Sequence, residues 1–242
     1  MTVKISGLVV LAFLAFPGIG FAGNLLANAG FETAVSTTPP THFPTDVGYW
    51  AGDGSAIVTT SGEISPSEGT RMLQFIWASS QHQASYFVAC ELLQVVDLGP
   101  FANLITGGQA SASVSARFNR VAGDAETDTA FGISLYAFSG SANTFFDQYE
   151  SSNWLSTSTS TILTDADKWE KATLAMPLPT DTDFVSVTIF AYENVYNDLT
   201  GVELDGHYAD DVWLEVIPEP ATLSLLALGG LALLRRRRAG AA

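Results

Sequence analysis

Apolar and polar side chains alternate at every second position in three stretches of the chain. Residues 110–118 (ASASVSARF) alternate small or apolar side chains with polar ones, and residues 130–138 (AFGISLYAF) and 184–191 (FVSVTIFA) do so with larger side chains. A period of two is typical of β-strands that bury one face and expose the other. No interior stretch has the period of an amphipathic helix, so the pattern predicts an all-β protein.

Five further segments have strand-like composition, and clusters of Gly, Pro, Asn, Asp and Ser, which favour turns, separate them. These segments are residues 56–60, 71–77, 86–98, 169–175 and 207–216. About nine short strands with connecting loops predict a β-sandwich of the jelly-roll kind. The Ser/Thr-rich residues 151–164 are interpreted as a long surface loop rather than a linker, because the strands on either side belong to one sandwich.

The N-terminal end differs in composition from the interior. Residues 1–22 have one positive charge at Lys4, an apolar core over residues 8–16 and a Gly20-Phe21-Ala22 ending. This is the pattern of a secretory signal peptide, and it predicts cleavage before Gly23.

The C-terminal end has three consecutive parts. Pro218-Glu219-Pro220 is followed by an apolar run over residues 221–234 and then by four arginines, Arg235, Arg236, Arg237 and Arg238. A membrane-spanning helix needs about 20 apolar residues, so this run is too short to cross a bilayer comfortably. The segment therefore suits a temporary anchor and recognition tag. The alternative is an ordinary single-pass C-terminal transmembrane helix.

This order of motifs resembles the PEP-CTERM sorting signal, found on exported proteins of Gram-negative bacteria that make exopolysaccharide. The resemblance implies that an exosortase, a membrane protease-transpeptidase, processes the tail, and that the chain contacts the membrane only transiently. It also implies export through the inner membrane to the cell surface or extracellular matrix. We therefore divide the chain into a signal peptide (residues 1–22), a β-sandwich domain (residues 23–217) and a sorting signal with a short apolar helix (residues 218–242).

The charge of the interior excludes one class of partner. The whole chain has 10 basic and 25 acidic residues, and the segment between the two ends keeps 5 of the basic and 24 of the acidic ones. A surface this acidic repels phosphate backbones, so nucleic acid is not an expected partner. The same charge favours solubility and attracts divalent cations.

The residues that usually carry catalysis are few and scattered. Cys90 is the single cysteine and lies in an apolar, strand-like run, which predicts a buried, unreactive thiol and no internal disulfide. His42, His82 and His207 have no metal-ligand spacing, and we expect His207 to face solvent. The chain is therefore predicted to be non-catalytic. A polysaccharide-active hydrolase or lyase remains an alternative, because the separation of paired carboxylates is spatial.

Several phrases along the interior resemble the galactose-binding-domain-like jelly rolls found among carbohydrate-binding modules. They are NLLANAGFE at residues 24–32, EGTRMLQF at 68–75, LLQVVDLG at 92–99 and HYADDVWLEV at 207–216. The resemblance implies that the first and last strands lie close together, with Glu32 near Asp210 and backbone carbonyls near Glu68 and Gly69. Calcium prefers six to eight such oxygen ligands, so one structural Ca²⁺ is expected there.

Aromatic side chains beside loops are the candidates for sugar binding, because flat rings stack on the apolar faces of pyranoses while amides and carboxylates bind hydroxyls. The candidate carbohydrate-binding residues are Trp77, Trp154, Tyr192, Glu193, Asn194 and Tyr196. Trp50, Trp169 and Trp213 fall in apolar patterns and are predicted to be core residues.

Two functions remain open at this point. One is an exported carbohydrate-binding protein of an exopolysaccharide or biofilm matrix. The other is a purely structural or adhesive matrix protein that binds no sugar.

Overall fold

The computed structural model describes residues 23–33, 43–77, 88–121, 129–165, 167–193 and 206–219. The predicted signal peptide, the C-terminal apolar helix with its arginines, Asn194 and Tyr196 lie outside these residues. No helix of the described part is long and apolar enough to cross a bilayer.

The chain folds into two antiparallel five-stranded sheets, which confirms the predicted β-sandwich. Sheet A has the order β1-β4-β9-β6-β7, with strands Trp50–Gly52, Val88–Asp97, Phe184–Glu193, Thr129–Phe138 and Ser156–Leu163. Sheet B has the order β2-β3-β10-β5-β8, with strands Gly54–Val58, Met72–Trp77, His207–Pro218, Ala110–Arg120 and Glu170–Pro177. Two short helices, which the sequence did not indicate, are α1 (Ala102–Thr106) and α2 (Phe145–Glu150).

The interpretation of residues 151–164 as a loop is wrong. Ser156–Leu163 forms the edge strand β7, which pairs with β6 from Ala137↔Ser156 to Ala130↔Leu163. Ser and Thr alternate along this strand, and its residues alternate between half-buried and exposed. Thr has a high β propensity, so an edge strand forms here without any apolar alternation to reveal it.

The main core lies between the sheets. Phe131, Ile133 and Leu135 of β6 are completely buried, and Phe131 stacks on Phe118 of β5 with ring centroids 5.1 Å apart. His207 also lies here, 4% exposed and 5.6 Å from the Phe131 ring centroid, so the expectation that it faces solvent is wrong. The next residue of the strand, Tyr208, faces the outer side of sheet B.

The first described segment lies beside the last strand, as the resemblance implied. Asn24 binds β10 twice, because its Nδ2 donates to the Val212 carbonyl (2.6 Å) and its Oδ1 accepts from the Leu214 amide (3.0 Å). Buried Gln94 binds both backbone groups of Ala27 at 2.8 and 2.9 Å. This segment is built of turns rather than a strand, and side-chain amides hold it in place.

Cys90 is buried, as predicted, and its Sγ donates to the Gly54 carbonyl at 3.4 Å. We expect Cys90→Ala to lower the free energy of unfolding by about 1–2 kcal/mol, because it removes a packed atom and a weak hydrogen bond. Urea denaturation measures this loss. Polysaccharide binding by the folded variant should be unchanged, and binding lost from a folded variant would assign the thiol a functional role.

Candidate functional site

The outer face of sheet A, called the A face below, consists of the side chains that point away from sheet B. Successive side chains of a strand point to opposite faces, and Val185, Val187 and Ile189 of β9 are buried in the main core. The alternate residues of β9 therefore form the A face together with those in register on β4 and β6. They are Phe184, Ser186, Thr188, Phe190 and Tyr192 on β9, Ala89, Glu91, Leu93, Val95 and Asp97 on β4, and Ala130, Gly132, Ser134, Tyr136 and Phe138 on β6.

One end of the A face is closed by a second apolar cluster, which is formed by helix α2 and Phe43. Phe138 and Phe184 stack there with ring centroids 5.0 Å apart and planes 11° apart. Phe145 of α2 contacts Phe138 edge-on at 5.6 Å. This end is a packed support rather than an open surface.

Three half-buried rings stand at the border of that cluster. Tyr136 meets Tyr149 and Trp154 edge-on, with centroids 5.3 and 5.2 Å away, and Tyr149 lies 6.3 Å from Trp154. Burial raises the pKa of Tyr149 well above its ordinary value, and the negative charge of Glu91 raises it further. The Tyr149 hydroxyl is therefore neutral, and a hydrogen bond with the Tyr136 side chain raises its pKa as well.

Phe190 and Tyr192 form an aromatic pair at the other end of the A face, with ring centroids 6.0 Å apart. The Phe190 ring lies over Gly132, where an added Cβ would be only 2.3 Å from the ring carbon Cζ. Phe190 is 8% exposed and Tyr192 is half-buried. The absent side chain at Gly132 thus allows the ring to lie against the sheet.

A polar strip separates the two aromatic groups. The hydroxyls of Ser186 and Thr188 are buried and have no hydrogen-bond partner among the described residues. Ser134 and Thr159 share a hydrogen bond of 2.8 Å on the same face. An unpaired buried hydroxyl costs about 1–3 kcal/mol, so an apolar residue would be more stable at both positions if this face only had to pack.

The structure brings two of the six predicted sugar-binding residues, Trp154 and Tyr192, to the A face. Glu193 ends β9 and Trp77 ends β3 in the other sheet, and the structure does not describe either side chain. The sequence prediction missed other members of the face, which follow from strand register rather than from a local motif. They are Glu91, Tyr136 and Phe190.

The three tryptophans predicted to be core residues have different environments. Trp50 is 1% exposed, as predicted, and Trp169 is half-buried. Trp213 is 38% exposed, so that prediction is wrong. A shift of register between Asp210 and Trp213 places Trp213 opposite Ser115, and a bulge of this kind moves the following side chains to the other face.

The two residues predicted to bind calcium both contact one turn, residues 67–71. Glu32 accepts from the backbone amides of Thr70 and Arg71 at 2.7 and 3.1 Å. Asp210 accepts from the amides of Ser67 and Glu68 at 2.8 and 3.0 Å. Both carboxylates thus bind the same turn, and the groups that they bind there are N–H donors.

Glu32 and Asp210 provide the type of ligand atom that calcium prefers, but fewer of them than calcium needs. Two carboxylates supply hard oxygen atoms, whereas calcium takes about six to eight of them. No group of three or more His, Cys, Asp or Glu able to hold a metal exists among the described residues. Calcium binding by Glu32 and Asp210 therefore stays a prediction.

We expect a distinctive pH dependence at Asp210 in the presence of a chelator. Burial raises the pKa of Asp210 from 3.8 to about 6, although its amide hydrogen bonds act in the opposite direction. Since the folded state holds this proton more tightly than the unfolded state, stability is lost as the pH rises from about 4 through 6, by roughly 2–3 kcal/mol. Urea denaturation at several pH values measures this loss, and Asp210→Asn should remove it.

Bound calcium would change this result, because a cation keeps both carboxylates ionised and stabilises only the folded chain. At a hundredfold excess over its dissociation constant it would add about 2.7 kcal/mol. Thermal melts in calcium should then show a higher midpoint that Glu32→Gln and Asp210→Asn both reduce. Identical melts in calcium and in chelator would leave the two carboxylates with only their role in holding the turn.

Comparison with known protein families matches residues 216–238 to the PEP-CTERM protein-sorting motif. This match confirms the resemblance of the C-terminal segment. No curated protein matches the chain.

Solved structures with similar folds include carbohydrate-binding modules. The structure of TmCBM61 in complex with β-1,4-galactotriose is 16% identical, covers 80% of this chain and 99% of its own, and has a TM-score of 0.47. A family 16 carbohydrate-binding module is 13% identical, covers 79% and 99%, and has a TM-score of 0.42. The enzymatically active domain of bacteriophage CBA120 tailspike protein 4 is 10% identical with a TM-score of 0.43, and only 21% of that chain is covered.

Proposed function

We propose that this chain is an exported, non-catalytic protein that binds carbohydrate of an extracellular polysaccharide matrix through the A face. The sorting motif at residues 216–238 indicates an exported protein destined for the cell surface. The binding function, the matrix and the exosortase that would process the tail are parts of the proposal.

The observation that carries the proposal is the composition of the A face. Half-buried aromatic rings stand at both ends, Trp154 with its tyrosine neighbours at one and Tyr192 at the other, and the buried hydroxyls of Ser186 and Thr188 lie between them. A pyranose needs flat apolar contacts together with hydrogen bonds to its hydroxyls. Glu91 supplies carboxylate acceptors on the same face.

The arrangement favours binding over the two alternatives. A purely structural face would gain stability from apolar residues in place of Ser186 and Thr188. Hydrolysis of a glycosidic bond requires two carboxyl groups about 5–10 Å apart on either side of the bond. Glu91 and Asp97 are the acidic side chains among the described A-face residues, and six positions along β4 separate them by about 20 Å, which is too far for such a pair.

Affinity electrophoresis tests the proposal. The full chain is run through gels that contain galactan, xylan, glucan or the exopolysaccharide of the native host, with a non-binding protein as the mobility reference. We expect retardation by at least one polysaccharide and no release of reducing ends. Unchanged mobility in every gel would favour the structural alternative, and release of reducing ends would favour the hydrolase.

The proposed processing of the tail makes its own prediction. In the native host, the surface or secreted form should lack Arg235 to Arg238, because an exosortase would remove the basic end after export. Intact-mass measurement of that fraction decides the point. Recovery of a chain that still carries all four arginines would contradict sorting by this route.

A further inference from the structure

A depression of about 570 Å³, separate from the A face, lies on the sheet B side of the sandwich. We call it the Trp169 pocket. It is lined by Glu63, Ser65, Ser67, Asn119, Asp167 and Trp169, among others. Its volume is within the roughly 300–1,000 Å³ of typical small-molecule sites.

Trp169 forms a fixed apolar wall of this pocket. Its Nε1 donates to the Ser65 carbonyl at 2.9 Å, which ties the indole to the loop between β2 and β3. The side chain also packs against a small apolar cluster of Ile64, Met72 and Tyr208. Because the ring is held at its polar edge and supported from below, its position is set before any ligand arrives.

Asn119 supplies an unused donor. It is 2% exposed, and its Oδ1 accepts from the Arg120 amide at 2.8 Å. Its amide nitrogen has no hydrogen-bond partner among the residues that the structure describes. Because Asn119 lines the pocket, an oxygen atom of a ligand there would accept a hydrogen bond from this nitrogen.

Two acidic residues, Glu63 and Asp167, also line the pocket. A hydrogen bond of 2.8 Å from the Asp167 backbone amide to the Arg120 carbonyl holds Asp167 in place. Glu63 lines the pocket from the loop between β2 and β3. A ligand that fits must donate to carboxylates and accept from an amide, and it must also present an apolar face to an indole. The hydroxyls and C–H faces of a pyranose meet all three conditions, whereas a cation would be opposed by the Asn119 donor.

We infer that the Trp169 pocket is a second carbohydrate site, which binds a short sugar segment independently of the A face. This inference rests on the proposed function only for the class of ligand, because the pocket and its lining residues are observed independently of the A face. A domain with two sites on opposite sides would bind two polysaccharide segments at once. It would therefore cross-link a matrix rather than only attach to it.

Calorimetric titration of the full chain with β-1,4-galactotriose and with xylohexaose tests this inference. We expect two binding sites per chain for a probe that binds. Trp169→Ala should remove one of them, and Tyr192→Ala should weaken the other about tenfold. Trp213→Ala, which changes an exposed tryptophan on the outer face of sheet B, should keep both.

A second variant guards against a folding defect in Trp169→Ala. The double substitution Glu63→Gln and Asp167→Asn keeps the indole and the shape of the pocket, and it should weaken that site about tenfold while the A-face site is unchanged. If both variants retain two sites of unchanged affinity, this inference is overturned and the proposed function stands. Absence of binding by both probes to the parent chain would contradict this inference, whereas the proposed function is contradicted only by unchanged mobility in every affinity gel.

Discussion

Phe131→Ala should lower the free energy of unfolding by about 3–5 kcal/mol, the largest stability loss expected from one substitution here. Phe131 is completely buried where the two sheets meet, and its ring contacts Phe118, Phe75 and His207 at centroid distances of 5.1, 6.3 and 5.6 Å. Rigid strands on both sides prevent the cavity from collapsing. Urea denaturation of both proteins measures the difference.

Phe146→Ala is the matched control for this experiment. Phe146 is 43% exposed and contacts Phe43 at 5.2 Å on the surface of α2, so its removal should cost less than about 1 kcal/mol. Equal losses from the two substitutions would mean that the sheets do not form one shared core.

Removing the aromatic groups at both ends of the A face should abolish binding at that face, so that any retardation left comes from the Trp169 pocket. Tyr192→Ala or Trp154→Ala alone should weaken binding about tenfold, which corresponds to roughly 1.4 kcal/mol for one stacking ring. The double variant loses both contacts. Affinity electrophoresis at several polysaccharide concentrations gives the dissociation constants.

Two comparisons keep this binding experiment interpretable. Trp213→Ala removes an exposed tryptophan from the opposite sheet and should leave retardation unchanged. The melting temperature of each variant shows whether the sandwich is intact. A double variant that is folded and binds as tightly as the parent would exclude the A face as the site.

Much of the fold follows from alternation along single strands. The eight strands predicted from the sequence all occur, with bounds that differ by a few residues, because a buried face requires an apolar residue at every second position. Strand β7 was missed because Ser156–Leu163 has no alternation of apolar and polar residues. Its backbone pairing with β6 makes it a strand. Strand β1 (Trp50–Gly52) is too short to show a period.

The A face was less accessible from sequence than the fold. Tyr192 was selected for its neighbours along the chain, yet the residues that matter lie across the sheet. Register places Phe190 opposite Gly132 on one side and Glu91 on the other. Such pairings join residues about a hundred positions apart in the case of Glu91, and no local motif marks them. For Trp213 the local pattern itself was misleading. The alternation along β10 predicts a core position, but one bulge turns this side chain to the outer face of sheet B.

An amide NMR titration tests carbohydrate binding by the A face most directly. The full chain is titrated with an oligosaccharide derived from the polysaccharide that retards the chain in affinity gels. Carbohydrate binding by the A face should change the chemical shifts of residues 186–192 and of Glu91, along the strip that lies between the two aromatic groups. Further changes around Trp169 would report the second site. Changes confined to the outer face of sheet B around Ser113, Ser115 and Trp213, with residues 186–192 unaffected, would contradict carbohydrate binding by the A face.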